Sequence, residues 1–143
     1  MAFEARFPLR FGDVDFAGIA YYPAIYHYLH QAFEEFWSGW MQVPYATLTR
    51  QESLGFPTVH AQTDFQAPIH WGDTLTIELW VARIGKSSVN FEYRVRVGER
   101  LCCAAALTKV CVDMGTFTTT PIPAKYRERL VACGAPATLE AAT

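Results

Sequence analysis

Charged side chains are scarce in this chain of 143 residues. Asp, Glu, Lys and Arg make up 18% of it, against roughly 25% in an ordinary soluble domain. The net charge of −2 at pH 7 argues against nucleic acid or a membrane surface as the main partner. No apolar run is long enough to span a bilayer. The first residues lack the layout of a signal peptide, so we expect a cytoplasmic location.

Several common kinds of site are also missing from the sequence. No C-x-x-C motif occurs among the four cysteines, Cys102, Cys103, Cys111 and Cys133, which excludes zinc-ribbon and thioredoxin motifs. We expect reduced, mostly buried thiols. The G-x-S-x-G, H-E-x-x-H, P-loop and G-x-G-x-x-G motifs are absent. His27, His30 and Glu34 have helical spacing, but no further ligand set accompanies them, so we expect no metal and no separate cofactor.

Apolar and aromatic residues are abundant instead. They make up 51% and 15% of the chain, which suits a single domain over residues 1–133. A domain of this size buries about two-thirds of the surface of its unfolded chain, enough for a core without disulfides. The apolar excess predicts a homodimer or a dimer of dimers. The tail, residues 134–143, is expected to be disordered.

The apolar pattern predicts an α+β fold with one long helix. Apolar residues recur at three- and four-residue steps from Pro23 to about Ser38, as on a helix. Short helices are predicted over 44–53 and from Pro123. Period-two patterns predict strands over 3–11, 56–67, 74–81, 88–97 and 100–114. The last of these is apolar on both faces between 101 and 107, which predicts a central strand covered on both sides.

Two aspartates stand in the loop directly before the long helix. Asp13 and Asp15 precede a helix start near Tyr22 and Pro23. A helix N-terminus offers free N–H groups and the positive end of a dipole, which can bind a carbonyl oxygen as it gains charge. A nearby carboxylate can attack as a nucleophile or activate water. Asp is equally common as a turn or capping residue, so the residues alone leave both interpretations open.

The same loop resembles a family signature. Residues 11–23, Phe-Gly-Asp-Val-Asp-Phe-Ala-Gly-Ile-Ala-Tyr-Tyr-Pro, are similar to the Asp-x-Asp-x-x-Gly segment of the 4-hydroxybenzoyl-CoA thioesterase family of hotdog-fold proteins. Ala67-Pro68 followed by Gly72-Asp73 resembles a second feature of that family. The resemblance runs from residue 4 to about 127. It implies a five-stranded antiparallel sheet wrapped around one long central helix, active sites at a subunit interface, and hydrolysis of an acyl-CoA thioester.

The resemblance also implies roles for individual residues. Asp15 matches the catalytic carboxylate, and the backbone N–H of Tyr22 matches the group that polarises the thioester carbonyl. Gly18 matches a position where the loop approaches closely. A Tyr rather than a His at position 22 favours an aromatic acyl group. Arg83, Lys86 and Ser87, residues 83–87, match a stretch that contacts the phosphates of CoA, which is part of the substrate.

Two other functions stay open at the level of sequence. One is a non-catalytic module that binds acyl-CoA. The other is a hotdog hydratase or dehydratase, which needs a His working with an acid, and no His lies between Asp15 and the helix start. The sequence names neither the acyl group nor the choice between a nucleophilic and a general-base carboxylate.

Overall fold

The protein is described here by a computed structural model that covers residues 1–137. Its helices are α1 (Tyr22–Gly39), α2 (Tyr45–Gln51) and α3 (Ala124–Ala132), with a 3-10 helix at Phe11–Asp13. Its strands are β1 (Phe3–Pro8), β2 (Leu54–Gly55), β3 (Thr58–Phe65), β4 (Thr74–Ile84), β5 (Ser88–Val97), β6 (Arg100–Val110), β7 (Val112–Asp113) and β8 (Thr118–Thr119). The predicted α+β class is confirmed.

A five-stranded antiparallel sheet forms the body of the fold, as predicted. Its strand order is β1-β4-β5-β6-β3, and every neighbouring pair is antiparallel. Residues 101–107 do form part of an interior strand, β6, which pairs with a neighbour on each edge, but the prediction that both of its faces are covered is wrong. β5 is central and β6 lies beside the edge strand β3. Ala106 is exposed and Ala104 is half-buried. The sequence pattern misleads here because alanine counts as apolar, although its small side chain costs little when it is exposed to water.

A second, small sheet was not predicted from the sequence. It joins β2, β7 and β8 in that order. Each of these strands is two residues long, which is too short to show a period-two pattern.

The long helix α1 packs its apolar side against the five-stranded sheet. Seven of its residues are buried, namely Ile25, Tyr28, Leu29, Ala32, Phe33, Phe36 and Trp37. Burying each large apolar side chain contributes roughly 1.5–3 kcal/mol of transfer free energy. Aromatic pairs fix the direction of the helix: Phe7 lies 6.0 Å from Tyr28, and Phe3 lies 5.8 Å from Phe36, between ring centroids. α1 therefore runs antiparallel to β1, and its first turn lies near Pro8.

The boundaries differ from the predicted ones mainly around the loop that follows β1. β1 ends at Pro8 rather than residue 11, because the chain turns into the 3-10 helix. Two shorter helices accompany α1, close to the predicted ranges. All four cysteines are free and buried, as expected. Of the predicted disordered tail, Ala135 packs against the core, and residues 138–143 lie outside the described residues. Within residues 1–137, no helix has the length and hydropathy needed to cross a membrane.

Candidate active site

The loop that carries Asp15 is closed by its own hydrogen bonds. The Asp15 N–H donates to Ile19 O at 2.8 Å, and the Gly18 N–H donates to Asp15 O at 2.9 Å. The Ala17 N–H donates to Asp15 Oδ1 at 2.9 Å. These bonds form a tight turn that holds the backbone of Asp15 in one place.

Gly18 is required in this turn for its backbone conformation. Its φ is +80°, in the left-handed region that costs other residues about 1–2 kcal/mol. A Cβ built on Gly18 would meet no atom within 4 Å. The turn by itself therefore accounts for a glycine here, and the close approach that the resemblance implies stays a prediction.

The two sequence features of the family resemblance lie side by side. The Ala20 N–H donates to Ile69 O at 2.7 Å, and the Trp71 N–H donates to Gly18 O at 3.2 Å. Residues 67–73, which precede β4, are thus hydrogen-bonded to the Asp15 loop. The Leu9 N–H, just after β1, also donates to Asp73 O at 2.9 Å.

The first turn of α1 presents a free donor. The Tyr21 N–H donates to Asp13 O, and the Ala24 N–H donates to Tyr21 O, both at 2.8 Å. Pro23 has no N–H, and no side chain caps the helix. Within residues 1–137, the Tyr22 N–H has no backbone partner. This N–H, at the positive end of the helix, is placed to bind an oxygen that gains negative charge.

The two aspartates occupy different environments. The Asp13 carboxylate is half-buried, and its Oδ2 accepts a hydrogen bond of 2.5 Å from the Tyr28 hydroxyl. The Asp15 side chain is exposed and accepts from the Ala17 N–H of its own turn. Asp13 is therefore engaged inside the fold, whereas Asp15 is free to meet a substrate. Asp15 thus makes a turn bond and keeps its carboxylate exposed, and its catalytic role stays a prediction.

An apolar groove of about 290 Å³ adjoins the first turn of α1. It is lined by Ile19, Ala20, Tyr22, Ile25, Phe65, Gln66, Ala67, Pro68 and Ile69. The rings of Tyr22 and Phe65 meet edge to face at 6.2 Å, although 62% and 49% of these residues are exposed. The sequence did not point to Phe65, because only the fold brings the end of β3 next to α1.

Arg83, Lys86 and Ser87 lie at the other end of the sheet. Arg83 lies near the end of β4, and Lys86 and Ser87 lie in the turn that joins β4 to β5, whereas Asp73, beside the Asp15 loop, precedes β4. A strand of the length of β4 spans on the order of 33 Å, so one chain does not bring this turn near Asp15. The turn is braced by Arg127, whose Nη2 donates to Gly85 O at 2.7 Å and to Lys86 O at 3.0 Å. Lys86 itself is exposed.

Other basic side chains lie beside the groove and were missed from the sequence. Arg100 Nη2 donates to Pro68 O at 3.2 Å and lies 3.6 Å from Asp73 Oδ2. His70 Nδ1 lies 3.8 Å from the same carboxylate oxygen. Arg100 lies about thirty residues from Pro68 and Asp73 in the sequence, so no local motif signals its place in the cluster.

The histidine pattern on α1 forms an ordinary surface pair. His30 Nε2 lies 3.1 Å from Glu34 Oε1, and both side chains are at least half exposed. Within residues 1–137, His, Cys, Asp and Glu form no group of three or more that could hold a metal ion.

Comparison with known protein families identifies the family of this chain. The model of the thioesterase-like superfamily matches residues 9–130. The chain belongs to the thioesterase-like superfamily. The resemblance drawn from residues 11–23, to hotdog thioesterases, is confirmed.

Two hydrolases of acyl-CoA thioesters are similar to this chain over most of its length. The 1,4-dihydroxy-2-naphthoyl-CoA hydrolase of Nostoc punctiforme is 31% identical over 123 residues, covering 86% of this chain and 82% of the relative. That of Synechococcus elongatus is 28% identical over 122 residues, covering 85% and 90%.

Solved thioesterase structures share the fold. The 1,4-dihydroxy-2-naphthoyl-CoA thioesterase of Synechocystis superposes with a TM-score of 0.83 at 23% identity, over 95% of this chain and all of that one. A gentisyl-coenzyme A thioesterase superposes with a TM-score of 0.79 at 27% identity, over 87% of this chain and 98% of that one.

Proposed function

We propose that this protein is an acyl-CoA thioesterase, which hydrolyses a thioester to a free acid and CoA. The observation that carries the proposal is the exposed carboxylate of Asp15 in a hydrogen-bonded turn that leads into α1, where the Tyr22 N–H has no backbone partner within residues 1–137. The membership of the thioesterase-like superfamily supports it, as do the activities of the similar hydrolases and thioesterases described above.

The chemistry needs two groups. In the first step an oxygen bonds to the thioester carbon, and the carbonyl oxygen gains a negative charge that the Tyr22 N–H and the helix dipole stabilise. The C–S bond then breaks, and CoA leaves as a thiolate. If the attacking oxygen is that of Asp15, an acyl anhydride forms and water hydrolyses it. If it is water, Asp15 takes the proton.

An aromatic acyl group suits the groove beside Tyr22. Its lining is mainly apolar, and the rings of Tyr22 and Phe65 are exposed at its edge. Aromatic pairs prefer offset or edge-to-face contact, so these rings favour a flat acyl group over a flexible chain. The named relatives act on naphthoyl and gentisyl thioesters.

The proposal includes a homodimer or a dimer of dimers. β3 is an edge strand that is exposed at every position except Thr63. Antiparallel pairing of two such edges about a two-fold axis sets the 83–87 turn of one copy at the same end as the Asp15 loop of the other. This arrangement supports a role for Lys86, Arg83 and Ser87 in contacting CoA phosphates across the interface. The expected cytoplasmic location stays part of the proposal.

Thiol release from a panel of acyl-CoAs tests the proposed activity. The panel contains benzoyl, phenylacetyl and straight-chain acyl-CoAs, and a thiol reagent reports free CoA. We expect release, with kcat/KM highest for the aromatic members. Saturable binding without release would instead indicate a binding module, and hydration of an enoyl-CoA would indicate a hydratase.

A further inference from the structure

The hydroxyl of Tyr28 joins the loop before α1 to the helix itself. Tyr28 lies in the second turn of α1, and only 2% of the residue is exposed. Its hydroxyl oxygen accepts the Arg10 N–H at 3.0 Å and donates its single hydrogen to Asp13 Oδ2 at 2.5 Å. Pro8 O lies farther away, at 3.5 Å. The hydroxyl therefore has a donor and an acceptor on the segment that leads from β1 to Asp15.

Asp13 passes this constraint to both parts of the candidate site. Its backbone oxygen accepts the Tyr21 N–H at 2.8 Å, which fixes the residue before Tyr22. Its own N–H donates to Arg10 O at 3.0 Å. Asp15 follows after one intervening residue. Asp13 is thus bonded to the residue before Tyr22 and lies two positions before Asp15 along the chain.

We propose that Tyr28 is a positioning residue: its hydroxyl, through Asp13, holds the Asp15 carboxylate and the Tyr22 N–H in reactive register. The inference rests on the proposed thioesterase function and adds a residue to it. A hydrogen bond to a carboxylate is stronger than a neutral one, more so where water is excluded. Displacement of a reacting group by about 1 Å can cost on the order of 100-fold in rate.

The hydroxyl is separable from the packing role of the ring. The Tyr28 ring packs against Phe7, with centroids 6.0 Å apart, and a Phe ring would fill the same space. Burial and the neighbouring Asp13 raise the pKa of Tyr28, so the hydroxyl keeps its hydrogen and stays a donor across the physiological range.

Tyr28→Phe tests the proposal because it removes one oxygen atom. We expect kcat to fall about 10- to 100-fold, with KM changed less than about threefold. Asp13→Asn keeps an oxygen that can accept from Tyr28, so its loss should be smaller than that of Asp13→Ala. The double variant Tyr28→Phe with Asp13→Ala should lose much less than the product of the two single losses, because both changes break the Tyr28–Asp13 bond. Any further loss relative to Asp13→Ala alone reports the bond from the Arg10 N–H.

Tyr45→Phe is the matched control. The Tyr45 hydroxyl accepts the Phe56 N–H at 2.8 Å, and its ring packs on Phe33 and Trp37 in the second half of α1. This variant loses a comparable bond far from Asp15. It should lower the melting temperature and leave kcat unchanged.

Amide hydrogen exchange separates the positioning role from the proposed activity. Tyr28→Phe should speed exchange at the N–H groups of Asp15 and Tyr21, and Tyr45→Phe should not. If exchange is faster in Tyr28→Phe but the wild-type protein releases no thiol from any acyl-CoA, the proposed thioesterase function is wrong and the structural role of the hydroxyl stands. Wild-type kcat in Tyr28→Phe would overturn the positioning role, whatever the exchange shows. An equal loss of kcat in Tyr45→Phe would also overturn it.

Discussion

Asp15 and Asp13 are the same residue type two positions apart, and their carboxylates lie in different surroundings. Asp13 bonds to a buried hydroxyl, whereas Asp15 faces solvent from a tight turn. Local spacing does not distinguish them, because the partner of Asp13 is on α1. The resemblance favoured Asp15 by position, and the contacts supply a physical reason for that assignment.

Asp15→Asn should lower kcat by about 10²–10³-fold, with little change in KM, because it keeps the shape and removes the charge that attacks or activates water. The steady-state rate of thiol release with the best acyl-CoA of the panel measures this. Asp13→Asn, which retains an acceptor for Tyr28, is the control and should cost much less. Near-full activity in Asp15→Asn together with an inactive Asp13→Asn would reverse the assignment.

At the scale of elements, predictability follows the length of the pattern. α1 was predictable because its apolar positions repeat over 18 residues. The two-residue strands of the small sheet carry no period, and β6 misled because its outward alanines look like core. The approach of Phe65 to Tyr22, and of Arg100 to Pro68, depends on strand order. Strand order is decided by tertiary packing, which no single segment encodes.

Lys109 on β6 is a buried basic residue that contacts α1. Only 4% of it is exposed, its Nζ lies 4.1 Å from the ring centroid of Phe33, and it donates to Thr58 Oγ1 at 2.9 Å. Burial lowers the pKa of Lys109 from 10.5 to about 8. Below pH 8 both folded and unfolded chains carry the charge, and the folded state bears its desolvation. Between pH 8 and 10.5 the unfolded chain binds more protons, so this contribution to stability rises with pH.

Lys109→Met should therefore raise the free energy of unfolding at pH 7, by roughly 1–3 kcal/mol. The advantage over wild type should shrink between pH 8 and 10. Urea denaturation at pH 7 and pH 10 measures both effects. Lys125→Met removes an exposed lysine paired with Glu52 and should change little at either pH. A Lys109→Met protein less stable than wild type at pH 7 would mean that the ammonium is well satisfied where it lies.

The whole molecule is expected to be an assembly of identical copies. The outer face of the sheet is half-buried and polar, with Arg96 and Glu78 paired at 2.9 Å, and Trp80 is only 4% exposed within one chain. The apolar excess therefore points to β3 and the aromatic groove rather than to that face. Sedimentation equilibrium at micromolar concentration should give a mass at least twice 16.1 kDa. A monomer would remove the shared site from the proposal.

The effect of Lys86→Ala on KM for an acyl-CoA tests whether two copies share a substrate site. If the turn of one copy meets the CoA phosphates bound at the other, KM should rise more than kcat falls, and the effect should weaken as salt screens the contact. Lys125→Ala removes another exposed lysine and should leave KM unchanged. A rise in KM in Arg100→Ala, with none in Lys86→Ala, would locate the phosphates beside Pro68 of the same chain.

The N-terminus of α1 has no side-chain cap, and this links the stability of the fold to the rate of the proposed reaction in opposite directions. A Ser or Asp at an N-cap typically adds about 1 kcal/mol of stability, yet Tyr21 occupies this position and makes no side-chain cap. An acidic residue at position 21 would bring a negative charge close to the Tyr22 N–H, in addition to that of Asp15. This charge would compete with the negative carbonyl oxygen of the reacting thioester for the positive end of the helix dipole. Selection for heat resistance alone would favour that cap. A variant chosen in this way would outlast the natural protein and turn over its substrate more slowly.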